Sequence, residues 1–325
     1  MKYLAGLTRF RKHETMRGML SSVSLRPQNF MQIIFVDENL SNKKPVPNIE
    51  YFWLDSPFSI IETIQGDISQ GIKSFLLFCV PKNKEKAFEF TCNTVQQIKN
   101  HFGSKIFLAC DLCLCGMTHD GHCGFIDTNK QLIDNHTTVE FLARNAIEFA
   151  KSGADCIAPS DMQDGRIKAI REILNDHGFD DISIMSYSTK FASNYYSAFR
   201  TIYQSGIDKN SPLKDRKTYQ IDFCNTKDAI LSSIRDELEG ADILMVKPII
   251  RYLDIVKEIQ ATCKLPLAGF HVSTECVSLN LLANNGYGDL ASLFMEDWIA
   301  IKRSGVDVII TYNARMVKQW VNKGE

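Results

Sequence analysis

Net charge is nearly absent from this 325-residue chain: 37 Lys and Arg stand against 38 Asp and Glu, a formal charge of −1. No field therefore draws in nucleic acid or an anionic membrane. Long apolar runs are missing too. The longest, such as 75–80 and 308–311, fall far short of the roughly 18 residues that span a bilayer. The opening MKYLAGLTRFRKHE reaches charge before an apolar core of signal length can build, so the expected location is cytoplasmic. No Gly-x-Gly-x-x-Gly follows the first apolar run, which counts against a dinucleotide-binding sheet. What remains is an ordinary globular mixture, 45% hydrophobic and 23% charged, long enough for a large buried core. Disordered and fibrous classes are excluded.

Cysteine, by contrast, is plentiful. Ten thiols in a chain of this length, with no secretion signal, read as reduced thiols or metal ligands rather than as a disulfide framework. Cys79, Cys92, Cys110, Cys156, Cys224, Cys263 and Cys276 are scattered, mostly through apolar runs where cysteine is a small buried hydrophobe. The other three cluster in DLCLCGMTHDGHCG. Cys113 and Cys115 are two apart, so both thiols leave a strand end on one side, and Cys123 returns from a glycine-bearing loop. Three thiolates leave the fourth position of a tetrahedral zinc open for water or substrate. His122 is either a fourth ligand or a hydrogen-bonding, solvated side chain.

The first thirty residues carry Lys2, Arg9, Arg11, Lys12, Arg17 and Arg26 against Glu14, with little helical or alternating pattern. They are expected to form an arm, 1–30, ahead of a single catalytic domain, 31–325. In that domain apolar runs of strand length alternate with longer stretches of helical period, the pattern of a parallel α/β fold. Strands are expected at 31–36, 74–80, 105–111, 155–159, 182–188, 242–247, 266–272 and 307–312. A helix over 137–152 opens with Thr137 and Glu140 in capping-box spacing, and another spans 165–177. A local signature recurs: Gly153-Ala154-Asp155, Gly240-Ala241-Asp242 and Gly305-Val306-Asp307, each ending a helix before a strand. Eight such units suit a (β/α)8 TIM barrel, with an open doubly wound sheet as the alternative. Long insertions at 111–135 and 189–226 fall after strands, on the catalytic face of a barrel.

Lys190 follows the fifth strand and Lys247 ends the sixth, where a barrel presents its site. A lysine desolvated beside another cation becomes a neutral amine able to attack a ketone. Arg200 and Arg216, with Gln220, offer guanidinium forks for a carboxylate. Ser273 and Tyr312 end the seventh and eighth strands with hydroxyls, and Asp111 precedes the cysteines as an acid, a base or a loop-orienting group.

Taken in order, DLCLC with GHCG, APSDMQDGR, MSYSTKFAS, DRKTYQID, GADILMVKP and HVSTE resemble the porphobilinogen synthase (δ-aminolevulinate dehydratase) family, from about Arg9 to Tyr312. The resemblance implies a barrel with an arm that wraps a partner, usually in a homo-octamer. It also implies condensation of two 5-aminolevulinate molecules into porphobilinogen, an early step of tetrapyrrole synthesis. Lys247 then binds the first substrate as a Schiff base and Lys190 holds the second. Ser273 and Tyr312 match the pair holding the first carboxylate, and Arg200, Arg216 and Gln220 the group holding the second. Cys113, Cys115 and Cys123 match the ligands of a catalytic zinc, Asp111 an active-site carboxylate, and Ser160 and Asp161 polar residues lining the pocket. Thiolates favour zinc over magnesium.

Some positions depart from the family pattern. Thr274 stands where the family has glycine, and a β-branched residue does not readily take a positive φ, so weaker substrate affinity is expected. His119 and Gln163 also differ. Many members hold an allosteric magnesium through a glutamate that follows an arginine, fifteen residues before the strand-end lysine. Leu231 and Ser232 occupy those places, with Leu231 expected on a buried face beside Ile234 and Leu238. No allosteric magnesium is expected, and Asp236 and Glu237 are the groups left for a displaced site. A lysine-dependent aldolase on the same barrel and a non-catalytic paralogue are the rival readings.

Overall fold

A computed structural model describes residues 7–321. Eight strands, β1 (Phe30–Asp37), β2 (Ser74–Val80), β3 (Phe107–Leu112), β4 (Cys156–Pro159), β5 (Ser183–Lys190), β6 (Ile243–Lys247), β7 (Leu267–Phe270) and β8 (Val308–Thr311), pair in chain order and close into a barrel. Every pairing is parallel, and β8 meets β1 with Phe30 opposite Ile309. Closure decides for the TIM barrel over the open sheet. Strand β1 is buried along its whole length, as expected of a parallel strand covered on both faces.

Helices coat the outside: α1 (Ile60–Ser69), α2 (Ala87–Phe102), α3 (Asn135–Lys151), α4 (Arg166–Asp176), α5 (Thr226–Leu238), α6 (Leu253–Thr262), α7 (Ser273–Asn284) and α8 (Leu290–Ser304). Each turns a stripe at three- and four-residue spacing inward, such as Ile167, Ile170 and Leu174 on α4 or Phe294, Trp298 and Ile301 on α8. Burying each such side chain contributes about 1.5–3 kcal/mol.

The recurrent Gly-x-Asp acquires a physical reason. Gly153, Gly240 and Gly305 have φ of 100°, 100° and 112°, the left-handed turn out of a helix that a side chain resists. Each following aspartate then accepts an N–H from the first or second residue of the neighbouring strand: Asp155 from Leu108 at 2.8 Å, Asp242 from Ile184 at 2.7 Å, Asp307 from Leu267 at 3.0 Å. These carboxylates tie β3, β5 and β7 at the end of the barrel opposite the lysines. Before β2 the same turn is made by Gly71, with φ of 90°, but the third place is Lys73, which has no carboxylate to offer.

Several expectations need correction. Helix α3 is capped by Asp134, whose carboxylate accepts from Thr137 N–H, so Thr137 lies inside the first turn. Leu231 and Leu238 are 65% and 82% exposed, while Ile234 is half-buried against the core: α5 buries Ala229, Ser232, Ser233 and Asp236 and leaves the two leucines outside. Ser273 opens α7 rather than ending β7. The basic N-terminal stretch contains two short helices, Thr8–Arg11 and Glu14–Met19, that bury nothing of their own, while Lys2 lies outside the described residues. Among the described residues no helix is long and apolar enough to cross a membrane.

Candidate active site

The ends of β5 and β6 place Lys190 directly opposite Lys247 in the sheet register. Both are buried, and they share a cavity lined by Asp111, Cys115, Ser160 and Arg216, walled by Phe78, Tyr196 and Phe199. Lys247 Nζ stands 3.6 Å from the ring centroid of Phe270 and 5.1 Å from that of Tyr187. Burial, and then the nearby charge of Lys190, pull its pKa down to about 7. Lys190 moves the other way. Burial opposes its charge, but the negative field of Cys123, Cys113, Cys115 and Asp111 outweighs it and raises the pKa, and the ammonium donates to the Ser160 carbonyl. One lysine is set up as the neutral nucleophile, the other as the cation that keeps it so.

Asp111, near the end of β3, is buried and has its pKa pushed up to about 6, chiefly by burial, with Lys190 and Lys247 working against the shift. Its Oδ1 makes no hydrogen bond in the protein. Asp161 is likewise pushed up to about 6 by burial, against the pull of Arg166 at 3.7 Å. Arg166 in turn bonds Asp236 at 2.9 Å, so Asp161 sits at the end of a buried charge network behind Ser160.

The Sγ atoms of Cys113, Cys115 and Cys123 all lie within 4.8 Å of one another, and all three residues are buried. Hydrogen bonds from Cys113 and Cys115 pull the Cys123 thiol well below its ordinary value, while burial pushes Cys113 up. None of the ten cysteines is in a disulfide. Three converging sulfurs can hold a metal. His122 is not in that cluster: its Nδ1 lies 3.0 Å from the Tyr219 hydroxyl and its Nε2 3.1 Å from the Leu213 carbonyl, so both ring nitrogens are used. It braces the loop.

The remaining candidates divide. Arg216 reaches the lysine cavity, anchored by bonds to the Gly121 and Ser205 carbonyls at 2.7 and 2.6 Å. Arg200, on the short helix Ser197–Ile202, has its pKa lowered by burial and by Arg216. Gln220 is buried with neither amide atom paired and borders a neighbouring cavity instead. Ser273 and Tyr312 are fully buried; Ser273 Oγ accepts the N–H of Phe199, whose ring lies 4.9 Å from Lys247 Nζ, and Tyr312 packs against Phe52. Sequence reasoning missed the aromatic walls Phe78, Tyr187, Phe199 and Phe270. Their pattern is that of any core, and no local signal separates a core phenylalanine from one beneath a lysine. Thr274 is not among the residues with positive φ; it sits in the first turn of α7, so the expected backbone conflict does not arise.

A closed parallel barrel with paired buried lysines, a carboxyl group lining their cavity and a three-thiol cluster defines a lysine-centred TIM-barrel enzyme. The family described as delta-aminolevulinic acid dehydratase matches residues 5–320. The delta-aminolevulinic acid dehydratase of Archaeoglobus fulgidus is 37% identical over 322 residues, covering 96% of this chain and 97% of the relative. That of Helicobacter pylori is 38% identical over 321 residues, with 96% and 97% covered. The Toxoplasma gondii ME49 enzyme, solved with its reaction product porphobilinogen, superposes with a TM-score of 0.92 at 32% identity over 98% of this chain and 92% of its own. The chain belongs to the delta-aminolevulinic acid dehydratase family.

Proposed function

We propose the following chemistry for the activity that family membership gives this chain, that of a porphobilinogen synthase, a hydro-lyase of tetrapyrrole synthesis. Two molecules of 5-aminolevulinate become one porphobilinogen and two waters. The reading is carried by Lys247, a buried amine with its pKa near 7, directly opposite a second buried lysine. Its Nζ adds to the ketone of the first substrate. A proton delivered by Asp111, protonated in part at neutral pH, lets the carbinol oxygen leave as water and a Schiff base forms. Lys190 holds the second molecule. Once its ammonium gives up a proton, Lys190 forms a second Schiff base and releases the second water; attack of a substrate amine on one imine carbon and of a substrate enamine carbon on the other then makes the C–N and C–C bonds and expels each lysine as a free amine.

Two carboxylates need separate anchors. Ser273 and Tyr312 hold the first; Arg200, Arg216 and Gln220 hold the second, and the unpaired amide of Gln220 and Nε of Arg200 are groups awaiting a partner. Ser160 and Asp161 position Lys190. The donor set Cys113, Cys115 and Cys123 fits zinc, a soft-ligand ion, better than magnesium, and bound zinc supplies a Lewis acid for the ring-closing chemistry. The arm 1–30 reaches a partner subunit in a homo-octamer, a role supported by exposed Leu7, Phe10, Met19 and Leu20. Unpaired thiols throughout suit the cytoplasm.

Incubation with 5-aminolevulinate should yield a pyrrole, and borohydride added during turnover should fix substrate mass on Lys247. Lys247→Ala should lose both. Equal labelling of the variant would remove Lys247 from the covalent role.

A further inference from the structure

Two contacts fasten the short helix 197–202 to the start of α7. Phe199 N–H donates to Ser273 Oγ at 2.9 Å, and the hydroxyls of Ser197 and Thr274 lie 3.3 Å apart. Between those contacts the ring of Phe199 is 4.9 Å from Lys247 Nζ and 5.3 Å from the ring of Phe78. The helix therefore roofs the lysine cavity. Ser273 is fully buried, so its hydroxyl has little access to water. Because its oxygen already accepts from Phe199, its proton is what remains to donate to a carboxylate. Thr274 adds a hydroxyl at a place where a glycine would leave Ser197 without a partner on α7.

We propose that Thr274 is a positioning residue that latches the 197–202 helix through Ser197, keeps Phe199 N–H on Ser273, and so slows escape of the first-bound 5-aminolevulinate. The proposal rests on Ser273 being that substrate's carboxylate anchor. Thr274 then acts opposite to the loss of affinity its β-branch suggested. It stabilises the closed roof and leaves the reacting atoms untouched.

The test uses the full chain with its metal, in four variants: Thr274→Val, which keeps the shape and removes the hydroxyl, Ser197→Ala, the pair together, and Thr274→Ser. A single neutral hydrogen bond corresponds to a roughly 2- to 10-fold change in an equilibrium. Thr274→Val is expected to raise KM for 5-aminolevulinate by about that factor, with a smaller change in kcat, and to speed proteolytic cleavage within 191–225. Thr274→Ser should restore both. The double variant should be no worse than either single one, since both break the same contact. Wild-type KM and cleavage rate in Thr274→Val, or additive losses in the pair, would overturn the latch. If Thr274→Val does not fold, Ser197→Ala, on the exposed side of the helix, carries the same readouts. Ser273→Ala separates the two readings: an unchanged KM there removes the anchor role, and the cleavage comparison still decides the latch.

Discussion

Lys247 owes its reactivity to place rather than to type. Nothing in its own chemistry differs from the other lysines, yet burial and the Lys190 ammonium bring its pKa to about 7. The amine is charged below that value and neutral above it. Borohydride trapping of 5-aminolevulinate should therefore rise as pH increases through about 7 and level off above. A rate that stays flat across that interval would contradict the lowered pKa. Asp111 acts on the same residue, since its negative charge favours the ammonium form. Asp111→Asn should shift the trapping midpoint to lower pH and cut kcat by about 10²–10⁴, the range of general acid–base catalysis. Loss of rate without the shift would leave Asp111 a proton donor with no electrostatic hold on Lys247.

At the scale of elements, the two ends of the barrel do different work. The loop carrying Cys113, Cys115 and Cys123 closes over the C-terminal ends of the strands, with His122 and Arg216 bracing it from outside the thiol cluster. On the zinc proposal, a strong chelator should abolish activity, zinc should restore it, and Cys123→Ala should behave as the chelated enzyme does. Recovery with magnesium alone would sink the assignment. The opposite end carries the aspartate ties. Asp155 accepts from Leu108 N–H and pairs with Lys99 at 2.7 Å. Asp155→Ala leaves the Leu108 N–H at a partly buried strand end without its partner. Denaturant unfolding should show a loss of about 1–3 kcal/mol. Because the site lies at the far end, kcat should hold; an equal fall in kcat would mean the tie shapes the active site.

For the whole molecule, cation regulation and assembly are linked questions. Asp236 is already held by Arg166 and Arg235 at 2.9 Å each, and Glu237 accepts the N–H groups of Lys264 and Leu265. Ser232, buried, donates to Asp228 at 3.2 Å. None of these carboxylates is left to a hard, strongly hydrated cation. Sedimentation of zinc-loaded protein should show one assembly near eight times the 36.9 kDa chain, and millimolar magnesium should change neither its size nor its rate. Activation by magnesium with growth in size would locate a cation site elsewhere.

The eight strands, the glycines that end helices, the three clustered cysteines and the two strand-end lysines were legible from the chain itself. Their signals are local: apolar runs, a Gly-x-Asp repeated at three helix ends, two thiols two residues apart. Strand register is not local. Only closure of the barrel put Lys190 opposite Lys247 and Phe270 beneath it. The apolar stripe of α5 shows why pattern and burial diverge: Leu231, Ile234 and Leu238 repeat at helical spacing, but the neighbours of the helix left the two leucines outside, covered Ile234 only in part and took the face of Ser233 and Asp236. Asp236 is buried there because Arg166 waits inside, a partner seventy residues away that periodicity does not report. Thr274 is the same lesson in one residue. Sequence comparison marked it as a backbone difficulty, whereas its surroundings made it the first turn of a helix facing Ser197. The chain by itself determined which groups could do chemistry, and the tertiary structure decided which of them meet, because contact depends on residues that fold in from elsewhere in the sequence.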